Sequence, residues 1–414
     1  MPGTSPIQAA PAQQHLELAT IFARHGKDYV QRRPVPLAQL RVMQQVVACR
    51  TAALGGQRSW CEDCGYERFV YHSCRNRHCP KCQTQASHAW RQARQLELLP
   101  VPYFHQVFTL PHELNAWVLA SGRNRRALLK LLFDAAAATL LEFGRTELRG
   151  QVGFTLVLHT WDQQLRPHFH LHALIAAGAL AKDGSQWIAG GAQFLFPVRA
   201  LSKMFRGKFL VGLRKLLDDD ALDVPASCLT SRRTWLRQLT RKSWVVYSKA
   251  PFAGPEKLLD YLSRYTHRVA ISNHRLIACD DGQVTFTYRD RADGDRRKTR
   301  TLPAEEFIGR FLTHVLPRGF TRIRHYGFLA NRHKAEKLAR IRQLLGTRPP
   351  QPQPEQTTPQ WLQTLLGIDV STCPCCGGPL AEEAVLPIPS DNALLRQTLP
   401  AAMPQVRPRG PPTT

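Results

Sequence analysis

The chain has 414 residues, 43% of them hydrophobic, which gives room for two or three domains with a sizeable core and excludes a fibrous or wholly disordered protein. Lys and Arg number 56 against 31 Asp and Glu, a net charge of +25 spread along the sequence rather than gathered in a tail. Such an excess points to a polyanionic partner, nucleic acid first, and no apolar run approaches the length that spans a membrane.

Residues 1–14, rich in Pro, Ala and Gln, read as a disordered tail without the charged-then-apolar pattern of a signal peptide. Two helices are predicted between Leu16 and Ala53, the second carrying Leu37, Leu40, Met43, Val46 and Val47 at helical spacing. WCEDCGYERFVYHSCRNRHCPKCQ follows. Its pairs Cys61-x2-Cys64 and Cys79-x2-Cys82 have the spacing of two knuckles that aim paired thiolates at one ion, so a single structural Zn²⁺ held by all four is expected, with no position open for catalysis. Cys74, His72 and His78 lie inside the loop, either as supporting groups or as members of a second site. Arg75, Arg77 and Lys81 make the loop cationic, which suits contact with DNA phosphates. Cysteines clustered as thiolate ligands imply a reducing compartment, hence a soluble cytoplasmic protein.

A helix over about 84–99 stops before Pro100, and VPYFHQVFTL reads as a strand whose lone His105 is a packing residue outside any site. Residues 123–143 give a clear helix, basic at its start and apolar along one face, suited to covering a sheet. From 152 to 177 a β-hairpin is predicted, VGFTLVLHTW turning through DQQLRP into HFHLHALIA. His168, His170 and His172 alternate with Phe169 and Leu171, so on a strand the three project from one face, and the hairpin returns His159 beside them. A further turn at Asp183-Gly184 continues an antiparallel sheet. The basic helix predicted over 198–217 has Phe205, Phe209 and Leu213 as a core stripe, and DDDALDVPAS reads as a linker before the strand KSWVVYSKAPF. PEKLLDYLSRYTHR is a predicted helix on which Tyr261 and Tyr265 share a face, with Arg264 and Arg268 on a neighbouring cationic one. RLIACDDGQVTFTYRD, with a first turn at Asp281-Gly282, and KTRTL read as antiparallel strands, PAEEFIGRFLTHVL as a helix, and RIRHYGFLANRHKAEKLARIRQLL closes the basic domain near residue 345. Residues 346–360 form a Pro/Gln linker, and 361–414 a tail in which Cys373 and Cys376 offer half of a zinc knuckle with no second pair after it.

The chemistry follows from the side chains. Neutral His159, His170 and His172 would leave coordination positions of a metal open to phosphate oxygens, as a Lewis-acid site requires, with His168 a neighbour placed to touch phosphate. The nucleophile must then hold a phosphoryl group covalently, which tyrosine can do, while Arg264 and Arg268 stabilise phenolate and phosphate charge together.

Taken together, CxxC…HCPxC, FTLPHEL, HTW…RPHFHLHALI, FRGKF and YLSRYTHR resemble the two-tyrosine HUH rolling-circle transposases of bacterial insertion sequences, over roughly residues 16–340. The resemblance implies an α+β fold: an antiparallel HUH-nuclease sheet flanked by helices over 101–345, after a helical, zinc-ribbon-like domain over 15–100. It implies His170 and His172 as the HUH pair and Tyr261 and Tyr265 as the nucleophiles; His159 matches a third histidine as placed in conjugative relaxases. The implied reaction cleaves one DNA strand to a 5′-phosphotyrosine and a free 3′-hydroxyl without ATP. It also implies single-stranded and element-end DNA as partners, Mg²⁺ or Mn²⁺ at the histidines, and a cytoplasmic, nucleoid-associated bacterial protein. Ligand softness alone favours Mn²⁺ or a later transition ion over Mg²⁺. A plasmid replication initiator or relaxase uses the same parts, and a non-catalytic zinc-dependent DNA-binding regulator would keep the histidines structural.

Overall fold

The structure is a computed structural model and describes residues 15–191, 193–225, 231–249, 257, 259–260, 270–351, 357–367 and 369–388. Two short helices, α1 (Leu18–Arg32) and α2 (Leu37–Ala48), precede strands β1 (Gly56–Cys61) and β2 (Glu67–Tyr71) and helix α3 (Gln83–Gln95). The central sheet takes β3 (Tyr103–Thr109), β4 (Gly150–Trp161), β5 (Pro167–Ala181), β7 (Val246–Lys249) and β11 (Ile323–Gly327), with β6 (Trp187–Ala189) pairing the far end of β5. Its order, β11-β4-β5-β3-β7, is antiparallel throughout, so the predicted β4–β5 hairpin lies at the centre.

Helix α5 (Gly122–Glu147), which follows the short α4 (Asn115–Ala120), is longer at both ends than its apolar stripe predicts, and α6 (Val198–Asp218) falls where the sequence puts it. Ser121 starts α5 by accepting from the Asn124 backbone N–H, the usual remedy for an orphan donor in the first turn. Both helices pack on one sheet face: Leu128, Leu129, Leu132, Phe133 and Leu140 of α5 and Phe205, Phe209 and Leu213 of α6 share a core with Phe104, Phe108, Phe154, Phe169 and Leu171. Each such side chain contributes about 1.5–3 kcal/mol on burial, so a single Leu132→Asp change would unseat α5. Phe169 and Leu171 point into this core, which by the two-residue alternation sends their neighbours to the opposite face.

The opposite face is covered at its two ends. A second sheet, β8 (Leu276–Asp280), β9 (Gln283–Asp290) and β10 (Arg296–Pro303), forms one core with α1, α2 and α8 (Ala304–Leu312). At the other end α9 (Lys334–Leu344) brings Leu338 and Ile341 to Tyr103, Leu174, Ala176 and Leu180. A helix that the sequence reading missed, α7 (Arg232–Arg241), stacks Trp235 on Trp117 at 4.6 Å.

The C-terminal segment departs from the expected free tail. Helix α10 (Thr358–Leu366) begins on a capping box at Thr357, and β12 (Leu380–Leu386) adds antiparallel to β1, giving a third sheet ordered β12-β1-β2. The chain therefore returns to its N-terminal module after the whole central domain. No helix among the described residues is long and apolar enough to cross a membrane.

Candidate functional site

The β4–β5 turn is held tightly. The Asp162 carboxylate accepts from the backbone N–H groups of Gln164 and Arg166 and from the Arg166 side chain. Leu165, at φ 62°, is in the left-handed region but fully buried, so packing stabilises a conformation that an apolar side chain otherwise avoids. Buried His314 secures the same turn, its Nε2 3.1 Å from the Leu165 carbonyl and its Nδ1 3.2 Å from the Thr160 hydroxyl. The carbonyl can only accept, so Nε2 carries the proton and Nδ1 accepts from Thr160.

Register then fixes the histidines. His159 on β4 lies directly opposite His170 on β5, and Val157 opposite His172, so all three imidazoles share the face away from α5 and α6. One nitrogen from each lies within 4.8 Å of the others, and all three residues are buried. The Nε2 atoms of His170 and His172 are 3.0 Å apart, the separation of neighbouring ligands on one ion with metal–nitrogen bonds of about 2.1 Å. Burial, with the His168 ring next, pushes His170 down to about 3, and burial followed by His159 and His170 holds His172 well below its usual value. Both are neutral at pH 7 and present lone pairs, as metal ligands must. His170 Nδ1 lies 3.0 Å from the His168 carbonyl and so carries the proton, leaving the Nε2 lone pair available to a metal.

His168 itself is exposed at the mouth of the site, its ring 4.7 Å from that of His170 and outside the three-nitrogen group. His105, read from sequence as packing, belongs to the site. Val107 on β3 lies opposite His172, so His105 shares the histidine face, and its Nε2 is 2.7 Å from His172 Nδ1. That contact fixes the ring of His172, while burial and then Lys249 push His105 down to about 4. Groups that orient a ligating histidine typically carry about 10–100-fold in metal affinity, so His105→Ala should weaken metal activation by that factor, measured as a shift in the Mn²⁺ concentration for half-maximal cleavage. An unchanged midpoint would return His105 to a packing role.

The cysteines are regrouped. The sequence spacing predicts Cys61, Cys64, Cys79 and Cys82 around one ion; the structure instead places Cys79 and Cys82 with Cys49 and Cys74, and Cys61 and Cys64 with Cys373 and Cys376. The reason is topological. The strand β1 leads Cys61 toward β12, while Cys82 at the start of α3 lies 3.2 Å from Cys49 at the end of α2. Cys74, inside the loop, is a full member of the first group, 3.6 Å from Cys82. Its neighbours draw the Cys49 thiol down to about 7, Cys74 first among them, and hold Cys82 far below the ordinary thiol range. This tetrad sits in the core of α1, α2 and α8, against which Trp161 also packs; Trp161 stacks on His159 at 5.2 Å.

Of the other residues singled out in that loop, His72 is exposed, and His78 is buried outside both thiol groups, bonded through Nδ1 to Asn76 and pushed down to about 3 by burial. Arg75 is exposed, half-buried Arg77 donates to the Phe320 carbonyl, and Lys81 pairs with Glu17. Tyr261, Arg264, Tyr265 and Arg268 lie outside the described residues. The residues before them are placed: Leu259 is buried in the cluster that holds Leu174 and Ala176, and Asp260 pairs with Arg91 of α3 at 2.7 Å. Leu174 and Ala176 continue the face of His170 and His172 along β5.

The family model described as "Putative transposase" matches residues 153–337, and that described as "Transposase zinc-binding domain" matches residues 21–110. The chain is 45% identical over 371 residues to "Putative transposase y4qJ" of Sinorhizobium fredii (strain NBRC 101917 / NGR234), covering 87% of this chain and 92% of that one. It is 28% identical to the transposase for insertion sequence element IS801 of Pseudomonas savastanoi pv. phaseolicola, covering 84% of each. Among solved structures, a fainter likeness is to conjugative relaxase TrwC in complex with mutant OriT DNA, with TM-score 0.22 and 16% identity, over 38% of this chain and 70% of that one. With both models matched in order and a transposase relative aligned along nearly its whole length, the chain belongs to the two-tyrosine rolling-circle transposases of bacterial insertion sequences, with the transposase zinc-binding domain at its N-terminus.

Proposed function

We propose that this transposase cleaves and rejoins single DNA strands through tyrosine, at a divalent ion held by His159, His170 and His172. The observation that carries the reading is the convergence of three buried imidazoles on one face of a central hairpin. An ion there, Mg²⁺ or Mn²⁺, would supply Lewis-acid neutralisation of the nonbridging phosphate oxygens. Tyr261 or Tyr265 gives up its phenolic proton to water and attacks phosphorus through its phenolic oxygen; the P–O3′ bond breaks, the 5′-phosphate stays on tyrosine, and the departing 3′-oxygen takes a proton back from water. Arg264 and Arg268 offset the charge on the phosphate and the phenolate. Two tyrosines allow one to hold a donor end while the other opens a second site.

Other described residues suit a single-stranded substrate. Tyr247 on β7 lies opposite Val107, which itself lies opposite His172; it is 52% exposed on the histidine face and offers a ring for base stacking. Arg291, at the exposed end of β9, is near enough to depress the proton affinity of His168, His170 and His172 after burial and the nearer groups have acted, and it suits a phosphate beside the scissile one.

The test is incubation with single-stranded DNA from the ends of the surrounding element and either Mg²⁺ or Mn²⁺. A denaturation-resistant protein–DNA adduct is expected, and EDTA should abolish it. Absence of adduct with both ions and both strands of each end would overturn the proposal. Binding without cleavage should fall steeply with salt, because each phosphate contact releases a counterion.

A further inference from the structure

Eight thiols fall into two groups of four with no sulfur shared. The group at Cys49, Cys74, Cys79 and Cys82 lies wholly within the matched zinc-binding domain, whereas Cys373 and Cys376 lie far beyond its end at residue 110. We infer that Cys61, Cys64, Cys373 and Cys376 hold a second zinc ion, which clasps the C-terminal segment to the N-terminal module.

The sulfur geometry fits the ion. Cys61 and Cys376 are 3.4 Å apart, Cys64 and Cys373 are 3.6 Å apart, and all four sulfurs lie within 4.8 Å of one another. A tetrahedron with Zn–S bonds of about 2.3 Å has edges of about 3.8 Å, while a disulfide needs about 2.05 Å. An all-thiolate tetrahedral set is the donor chemistry of zinc or an iron–sulfur centre, and binding displaces the thiol protons.

The two knuckles are also built alike. In the first, Gly65 N–H donates to the Cys61 carbonyl and Cys61 N–H to the Tyr66 carbonyl; in the second, Gly377 N–H donates to the Cys373 carbonyl and Cys373 N–H to the Gly378 carbonyl. The offsets are the same, four residues and five, and each knuckle turns on a glycine of positive φ, 72° at Gly65 and 77° at Gly377. Each then runs into a strand flanking β1, β2 on one side and β12 on the other. The knuckles approach so closely that a Cβ on Gly378 would stand 2.1 Å from the Asp63 carboxylate. The Cys375 N–H, 3.4 Å from the Cys373 sulfur, supports a thiolate there.

Little else holds the segment down. Among the described side chains of residues 357–388, Cys373 alone is buried, and Val385 and Ile388 are 72% and 62% exposed. A segment without an apolar core takes its folding energy from backbone pairing and from metal, as in small zinc modules. The ion would thus close a loop of 309 residues between Cys64 and Cys373.

The test uses the full chain, with bound metal measured in the wild type and in three variants. C373S/C376S and C61S/C64S should each lose one zinc equivalent and keep the other, whereas C79S should lose the equivalent that they keep; differences between variants remove any ion held by the histidines. Alkylation under native conditions provides a second readout. Cys64, Cys375 and Cys376 are all exposed, so burial shields none of them. In the wild type Cys375 should be labelled at once while Cys64 and Cys376 are protected, and in C373S/C376S Cys64 should become reactive. Unchanged zinc content in C373S/C376S, continued protection of Cys64 in that variant, or iron in place of zinc would overturn the inference.

Discussion

Replacing His170 with alanine should lower strand cleavage by about 10³-fold or more while leaving affinity for single-stranded DNA within about a factor of two. The asymmetry follows from what the side chain does. His170 offers Nε2 to the site and is fixed by its own Nδ1 contact to the His168 carbonyl, so its loss would remove one of the three nitrogens proposed to hold the ion, the one 3.0 Å from His172 Nε2. Lewis-acid stabilisation amounts to several kcal/mol of transition-state charge, and about 4 kcal/mol is about 10³ in rate. DNA affinity instead comes from a net charge of +25 distributed over the chain, to which a buried neutral imidazole adds nothing. His168→Ala should cost far less, because that ring stands at the mouth of the site and outside the ligand group. The measurements are single-turnover cleavage and equilibrium binding on the same oligonucleotide. Equal loss in both would make β5 a structural strand and sink the metal-site reading.

The contrast between the histidines and the cysteines shows what a sequence can disclose. The alternation of His168, His170 and His172 is a local, two-residue period, and the turn returning His159 spans only a few residues, so strand geometry alone places them on one face. His105 was not legible that way. Its role depends on the pairing of β3 with β5, a register across 67 residues that nothing near position 105 reports. The zinc pairs failed for the opposite reason: two CxxC pairs in the right local spacing looked sufficient, and the partner chosen by β12 lies more than 300 residues away. A signal was present in the solitary Cys49 and in the unpaired CPCC at Cys373–Cys376, since two incomplete sets imply two sites. Helix α7 was legible in RRTWLRQLTR, where Trp235 and Leu239 stand one turn apart after the N-cap residue Ser231, but the segment is short and mostly charged.

Substituting phenylalanine at both Tyr261 and Tyr265 should reduce adduct formation on the order of 10⁴-fold or more, since removal of a nucleophile costs at least that in covalent catalysis. Phenylalanine deletes one oxygen and keeps the ring, so metal content, zinc content and DNA affinity should stay at wild-type values. The two residues immediately before Tyr261 are placed. Leu259 is buried with Leu174 and Ala176 on the histidine side of the sheet, and Arg91 of the zinc-binding domain holds Asp260, one residue before Tyr261. Each single variant should still form an adduct through the remaining phenol but fail to join the cleaved strand to a second site, so the two substitutions will be strongly non-additive. Trapping on labelled single strands, followed by peptide mapping of the adduct, reads all three variants. An adduct that persists in the double variant would place the nucleophile elsewhere. Tyr247 would then be the first residue to map, because among the described residues it carries an exposed phenol on the same sheet face as His170 and His172. That outcome would preserve the metal site while removing the paired-tyrosine mechanism, so the His170 and tyrosine experiments test separable halves of the proposal.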